Sequence, residues 1–320
     1  MTTRIVGTGS YLPSKVVTND DLSKIMDTND EWIRSRTGIG ERHLATIESN
    51  ADLCAEAAKR ALLDAGMEAQ EIDLIIVGTI TPDHVTPSLA CEVSALIGAD
   101  KAVCFDINAA CSGFVYSLHT AHAFIASGIY KNAIVIGAEV LSRIMDWEDR
   151  STCVLFGDGA GAAVVRADET GILAFDQGSD GVKGSVLSCV NRRNNNPFVT
   201  QSKELSYVQM DGKEVYSFAV STVPKSITFV LEQAGVTPGE VDYFLLHQAN
   251  VRILDSVGKR LKIPMEKFPI SLDHCGNISA GSIPILLDEV NKKGLLKRGQ
   301  KIILSGFGGG LTWGTTLLEW

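Results

Sequence analysis

The sequence predicts an α/β protein in layers, built from two copies of one half, and two observations carry that prediction. Short apolar runs (Leu74–Val77, Ala133–Ile136, Ala162–Val165, Tyr243–Leu246 and Lys301–Leu304) alternate with helix-period stretches over 50–65, 85–97, 112–127, 214–234, 249–261 and 282–294. Apolar runs without polar alternation suit strands buried on both faces of a sheet, and helices between them suit layers. The second observation is an internal repeat. Ala65-Gly66-Met67-Glu68-Ala69-Gln70-Glu71-Ile72-Asp73 returns as Ala234-Gly235-Val236-Thr237-Pro238-Gly239-Glu240-Val241-Asp242, 169 residues later. The strands after each copy fall in the same register, and 133–136 matches 302–304. That spacing is far too long for a solenoid. It predicts two halves, 1–170 and 171–320, with ligands in the cleft between them, beyond the carboxyl ends of the strands.

In chain order, Thr3-Arg4-Ile5-Val6-Gly7 is expected to enter a strand directly, with no apolar signal core ahead of it, and a cytoplasmic protein is the expectation. The helix over 50–65 stops at Gly66, a residue suited to the left-handed cap. After the apolar segment Ala102–Phe105 comes Asp106-Ile107-Asn108-Ala109-Ala110-Cys111-Ser112-Gly113-Phe114, then the helix over 112–127. A strand, a turn of small residues and a helix starting just past the cysteine present Cys111 as a nucleophile. The helix N-terminus offers orphan N–H groups and partial positive charge, which lower a thiol pKa. Gly157-Asp158-Gly159-Ala160-Gly161 is expected to be a structural turn, and Gly306–Gly314 a loop able to offer backbone N–H groups to an oxyanion.

The 320 residues carry a net charge of −9, which disfavours nucleic acid as the main partner. No apolar run approaches the ~18 residues of a membrane span. Seven cysteines without regular spacing argue for a reducing compartment. Those other than Cys111 are expected to be structural: Cys54 and Cys91 in helix packing, Cys104 in a buried strand, with Cys153, Cys189 and Cys275. No Cys/His spacing matches a zinc site, so no metal is expected. His247 and Asn277 follow Cys111 along the chain, and the three together suit an enzyme that carries an acyl group on sulfur.

These residues lie in motifs that resemble the β-ketoacyl-acyl-carrier-protein synthase III family. The motifs are Ala109-Ala110-Cys111-Ser112-Gly113-Phe114, His247-Gln248-Ala249-Asn250-Val251-Arg252, Gly276-Asn277-Ile278-Ser279-Ala280 and Gly308-Gly309-Gly310-Leu311-Thr312-Trp313-Gly314, with Asn29–Ile39 and Asp149-Arg150. The resemblance runs from about residue 4 to the end. It implies a homodimer of the duplicated thiolase fold, two α/β halves with buried mixed sheets in α-β-α-β-α order. It also implies condensation of an acyl-CoA primer with malonyl-carrier protein, with loss of CO2 and no permanently bound cofactor. Cys111 would hold the acyl group, the Cys111 and Gly309 N–H groups the oxyanion, and His247 and Asn277 the enolate, with Phe307 at the CO2 exit. Thr28, Trp32, Arg36, Arg150 and Asn250 would bind CoA. Gln248, Ala249, Asn250, Val251 and Arg252, with Lys259 and Arg260 on the same helix, would dock the carrier protein.

The chain departs from the family at Ile278, Cys275 and Ser217, the last where some members place a docking lysine. Thr86 stands where the family closes the partner subunit's acyl pocket, and its small side chain implies primers longer than acetyl, or branched. A related acyltransferase of secondary metabolism would use the same three residues. A cysteine hydrolase would leave Trp32, Arg36 and Arg150 without a role.

Overall fold

The computed structural model describes residues 1–191, 194, 196–198 and 206–320. The strands are β1 (Thr2–Tyr11), β2 (Lys15–Thr18), β3 (Glu41–Leu44), β4 (Leu74–Gly78), β5 (Val103–Ile107), β6 (Asn132–Val140), β7 (Asp158–Asp168), β8 (Ile172–Ser179), β9 (Leu187–Ser188), β10 (Gln209–Met210), β11 (Tyr243–Leu246), β12 (Lys301–Gly308) and β13 (Thr312–Glu319). The helices are α1 (Asn19–Leu22), α2 (Asp30–Thr37), α3 (Asn50–Ala65), α4 (Leu89–Ile97), α5 (Gly113–Ala126), α6 (Gly212–Ala234), α7 (Val251–Leu261), α8 (Leu272–Cys275) and α9 (Ser282–Lys292).

Two mixed sheets follow one plan. The first has the order β1-β7-β6-β4-β5 and the second β8-β13-β12-β11, so the second lacks only a counterpart of β5. In each, a parallel pair (β4 with β6, β11 with β12) joins an antiparallel continuation. The repeat is legible down to single hydrogen bonds. Gly66 and Gly235 both end their helices at φ 65°. Asp73 and Asp242 then each donate a backbone N–H to a carbonyl of the strand alongside, Asp73 to Asn132 and Asp242 to Lys301, again 169 apart. Their carboxylates accept from the N–H of the same two partners at 3.1 and 2.9 Å.

Five layers result. α3 and α4 cover the outer face of the first sheet, with Ala57, Ala58 and Ala61 packed on Ile134, Ile136 and Val164. α6 and α7 cover the outer face of the second, with Val223, Ile227 and Val257 on Phe244, Ile303 and Leu317. α5 and α9 fill the middle, where Phe114, Leu118, Ile283 and Leu287 meet both sheets in one core. The middle helices sit close enough to demand glycine: a Cβ on Gly137 of β6 would lie 2.1 Å from the Ala280 carbonyl oxygen. Close packing at that contact leaves no room for the atom.

Helix boundaries differ from expectation where a cap decides them. α4 starts at Leu89, not 85, because Pro87 precedes Ser88, whose side chain accepts from the Cys91 N–H. α7 starts at Val251, not 249, because Asn250 caps it through the Arg252 N–H. Gly157–Gly161 is not a turn; β7 begins at Asp158 and these small residues let α9 approach the sheet. Cys91 is exposed rather than packed, and Cys104 and Cys189 are half-buried. No helix among the described residues is long and apolar enough to cross a membrane.

Candidate active site

Cys111 lies in a single 3-10 turn, Ala110–Ser112, between β5 and α5, so α5 opens two residues beyond it rather than at the next residue. The turn is forced through Ala110 at φ 45°. A left-handed alanine is costly and persists only where its surroundings over-determine it. The surroundings here are the end of β12. A Cβ on Gly308 would stand 2.7 Å from the Cys111 Cβ and 3.0 Å from Sγ. Thr312 Oγ1 lies at donor distance from the Ala109 carbonyl, the Ser112 hydroxyl and the Gly309 carbonyl, at 3.1, 3.2 and 3.0 Å, and its one proton, shared among them, pins the glycine turn to the nucleophile turn.

His247 follows β11, held by its backbone N–H on the Ser305 carbonyl of β12. Its ring meets Phe307 edge-on, centroids 5.2 Å apart. Phe307 therefore bridges His247 and Gly308, which abuts Cys111. Asn277 precedes the 3-10 turn Ser279–Gly281, which packs on the Cys111 turn. The Asn277 Oδ1 accepts from the Ser279 N–H at 2.8 Å. With its carbonyl engaged, the amide is left to present its NH2 group as a donor. Neither ring nitrogen of His247 has a protein partner among the described residues, and Nδ1 is sealed in the interior. A proton on Nδ1 would be stranded, so we assign the neutral ring its proton on Nε2.

Burial dominates the electrostatics. It lowers His247 to about 3, keeping the imidazole neutral at any physiological pH. It pushes the Cys111 thiol up to about 12, opposed by the nearby Ser279 hydroxyl and reinforced by the charge of Glu139. The direction is opposite to the lowering expected from the helix N-terminus: burial is the largest cause, and no cation among the described residues is among the causes. Glu139, missed in the sequence, is fully buried. It accepts from Thr81 Oγ1 at 2.5 Å, Thr79 Oγ1 at 3.2 Å and the Ile80 N–H at 3.1 Å, and burial brings it to about 7. Its signal was present as a single charge in the apolar strand Ala133–Val140. Ser279, at φ 48°, was missed too; its buried hydroxyl faces the Cys111 thiol and the Glu139 carboxyl.

A cavity of about 880 Å3 ends on Cys111, walled by Asn108, Ser279, Leu141, Phe156 and Gly309. Thr86 lines it in the single chain. Cys189, expected to be structural, lines it as well. Beside it, in the same apolar cluster as Leu187 and Phe156, stands Trp32. The guanidinium carbons of Arg36 and Arg150 lie 4.7 and 5.4 Å from its ring centroid. Arg150 also pairs with Asp27 at 3.0 Å, and the neighbouring Thr28 hydroxyl is buried without a partner. Asn250 donates to the Arg36 carbonyl at 3.1 Å and Arg252 to the Ser35 carbonyl at 2.9 Å, tying α7 to α2.

The docking residues divide. Arg252, Lys259 and Arg260 are exposed on α7, with Lys259 paired to Asp255 at 2.6 Å. Ala249 and Val251 are half-buried. Gln248 is only 1 % exposed; its amide bonds the Leu246 carbonyl and the N–H groups of Ser271 and Leu272. Its side chain holds the His247 loop to α8 and is not offered to a docking protein.

Comparison with known proteins agrees with this architecture. The family described as 3-oxoacyl-[acyl-carrier-protein (ACP)] synthase III matches residues 105–181, and its C-terminal counterpart matches residues 231–320. The chain is 53 % identical over 319 residues to beta-ketoacyl-[acyl-carrier-protein] synthase III of Clostridium acetobutylicum, covering 99 % of this chain and 98 % of that one. The crystal structure of 3-oxoacyl-[acyl-carrier-protein] synthase III from Aquifex aeolicus superimposes with TM-score 0.93 at 48 % identity, over 99 % of this chain and 100 % of that one. A priming beta-ketosynthase from the R1128 polyketide biosynthetic pathway superimposes with TM-score 0.94 at 35 % identity, over 99 % of this chain and 96 % of that one. From full-length identity and shared architecture together, the chain belongs to the 3-oxoacyl-[acyl-carrier-protein] synthase III family.

Proposed function

We propose that the chain opens fatty acid synthesis by condensing an acyl-CoA primer with malonyl-acyl carrier protein, giving 3-oxoacyl-carrier protein, CoA and CO2. The observation that carries this is Cys111 lining a cavity of about 880 Å3, with the turn that follows Asn277 packed on its own turn and Phe307 linking the neutral His247 ring to Gly308 beside it, in a chain identical at half its positions to such synthases. The higher identity to fatty acid synthases than to the polyketide priming enzyme favours primary over secondary metabolism.

Cys111 attacks the primer thioester. The tetrahedral oxyanion is held by the N–H groups of Cys111 and Gly309, which no turn or loop hydrogen bond among the described residues takes up. Collapse expels CoA and leaves acyl-Cys111. A thiol raised by burial is almost wholly protonated at pH 7, so its proton passes to the departing CoA sulfur, which leaves as the thiol. Malonyl-carrier protein then loses CO2, and the electron pair of the broken bond moves onto the thioester as an enolate. The His247 Nε2–H and the Asn277 NH2 stabilise that oxygen, so no strong base is needed. The carbanion attacks acyl-Cys111, and the thiolate leaves. Phe307 presents an apolar face where CO2 departs, which favours loss of charge from the carboxylate.

Trp32, with Arg36 and Arg150 beside its ring, suits an adenine, whose flat face stacks on both kinds of plane, while the guanidinium groups suit phosphates. Thr28 and Asn250 stand beside this clamp. The exposed Arg252, Lys259 and Arg260 suit an acidic carrier protein through steering rather than deep burial. The functional halves are 1–170, bearing Cys111, and 171–320, bearing His247 and Asn277, and the working form is a cytoplasmic homodimer; no permanent cofactor is required by these steps. Incubation with acetyl-CoA and malonyl-carrier protein should release CoA and CO2 in equal amounts as 3-oxoacyl-carrier protein forms. CoA release without CO2 would identify a simple acyl transfer and reject the condensation.

A further inference from the structure

The loop that ends at Asn277 carries a second cluster that the condensation does not use. His274 and Cys275 of α8 face Glu289 of α9, and one ligand atom from each lies within 4.8 Å of the others. The His274 Nε2 is 2.8 Å from the Glu289 Oε1, and the Cys275 Sγ is 3.8 Å from the same oxygen. Tetrahedral zinc, with bonds of about 2.0–2.1 Å to nitrogen and oxygen and 2.3 Å to sulfur, sets its donors about 3.4–3.6 Å apart. The two separations from the Glu289 oxygen bracket that spacing.

The groups behind them are arranged as for metal ligands. Asp273 Oδ1 takes the other ring nitrogen of His274, Nδ1, at 2.9 Å, fixing the ring with Nε2 toward Glu289. A carboxylate behind a ligating imidazole in this way sets its tautomer and raises its basicity. The second Glu289 oxygen is held by Lys293 at 3.3 Å, leaving Oε1 for the cluster. Cys275 is 2 % exposed, whereas His274 keeps one edge toward solvent and gives an entry path. A plain ion pair would need neither a buried thiol nor a second carboxylate.

We propose that His274 Nε2, Cys275 Sγ and Glu289 Oε1 form a binding site for a zinc-like divalent transition-metal ion, with the fourth position left to water. On binding, the metal replaces the proton on Nε2 and the thiol proton, and both go to solvent; the two anionic ligands then balance the dication. The expectation of no metal site rested on spacing along the chain. An adjacent His-Cys pair fails that test, and Glu289 arrives from another helix. An ion here would clamp α8 to α9 two residues from Asn277.

The test is cobalt absorption on the full-length protein carrying Cys111→Ala, which removes the nucleophile as a rival thiol. One equivalent of Co2+ should give tetrahedral ligand-field bands with a thiolate charge-transfer band, both bleached by one equivalent of Zn2+. Cys275→Ser should abolish the charge-transfer band, while Cys189→Ser and Cys153→Ser should keep it. Asp273→Asn, which leaves all three ligands in place, should weaken Co2+ binding about 10–100-fold. Absence of the bands, or a charge-transfer band that survives Cys275→Ser, would overturn the site. So would binding unchanged in both Glu289→Gln and Asp273→Asn.

Discussion

Ala110 and Ser279 are the same position of the two halves: 169 residues apart, they adopt φ 45° and 48°, and each opens a 3-10 turn that leads into a middle-layer helix. One copy of this strained turn carries Cys111; the other follows Asn277. The duplication thus delivers a nucleophile from one half and a hydrogen-bond donor from the other to the same point. Strain of this kind, of order 1–3 kcal/mol per residue, is retained where geometry matters.

The division of labour between the two turns can be separated experimentally. Cys111→Ala should form no acyl adduct with any acyl-CoA. His247→Ala and Asn277→Ala should still acylate but lose condensation by about 100-fold or more, the usual cost of removing an oxyanion donor. Pre-steady-state acylation measured by mass, alongside steady-state CO2 release, distinguishes the steps. Loss of acylation in Asn277→Ala would contradict the assignment.

Space at the nucleophile is as exacting as its chemistry. Gly308→Ala would place a methyl 2.7 Å from the Cys111 Cβ. The protein should fold with its secondary structure intact, by circular dichroism, yet acylate at least about tenfold more slowly, because an added methyl in a packed site forces the nucleophile aside.

Truncating the aromatic clamp should act on binding alone. Trp32→Ala should raise the KM for acyl-CoA roughly 5- to 30-fold, with kcat nearly unchanged, from loss of about 1–2 kcal/mol of stacking and cation–π contact. An unchanged KM would place the adenine elsewhere.

The pH dependence of the two steps should differ. With Cys111 raised to about 12, the thiolate fraction grows tenfold per pH unit, so acylation should climb from pH 6 through 9 without a plateau. With His247 lowered to about 3, condensation of preformed acyl-enzyme should show no loss from its protonation between pH 7 and 5. An ordinary histidine would titrate near 6.5 in that window. The lowered value also means that His247 contributes stability above pH ~6.5 that disappears as pH falls toward 3.

Primer choice should respond to Thr86, which lines the cavity. Thr86→Phe should shift the kcat/KM ratio toward acetyl-CoA over four- and five-carbon primers, since each buried methylene is worth about 0.8 kcal/mol. Equal turnover of acetyl-CoA and longer primers by the unaltered protein would remove the premise.

Much of this was legible in the chain. Tyr243–Leu246 is a strand at the expected residues, and α3 spans 50–65 as expected, because its ends carry strong local signals in Ser49 and Gly66. The elements that shifted, α4 and α7, did so at caps set by single residues, Ser88 and Asn250. Burial was not legible. Gln248 sits in the same short motif as Arg252, yet one is sealed and the other exposed, which depends on where α8 comes to rest. The Cys111 thiol likewise reads as activated from its place before a helix, and only the closed site reveals its desolvation.

The most direct measurement is intact-protein mass after incubation with a panel of acyl-CoAs, followed by malonyl-carrier protein. The account predicts a single acyl adduct, absent in Cys111→Ala, that clears as 3-oxoacyl-carrier protein and CO2 appear. An adduct that persists in Cys111→Ala, or one that clears in water without malonyl-carrier protein, would contradict it.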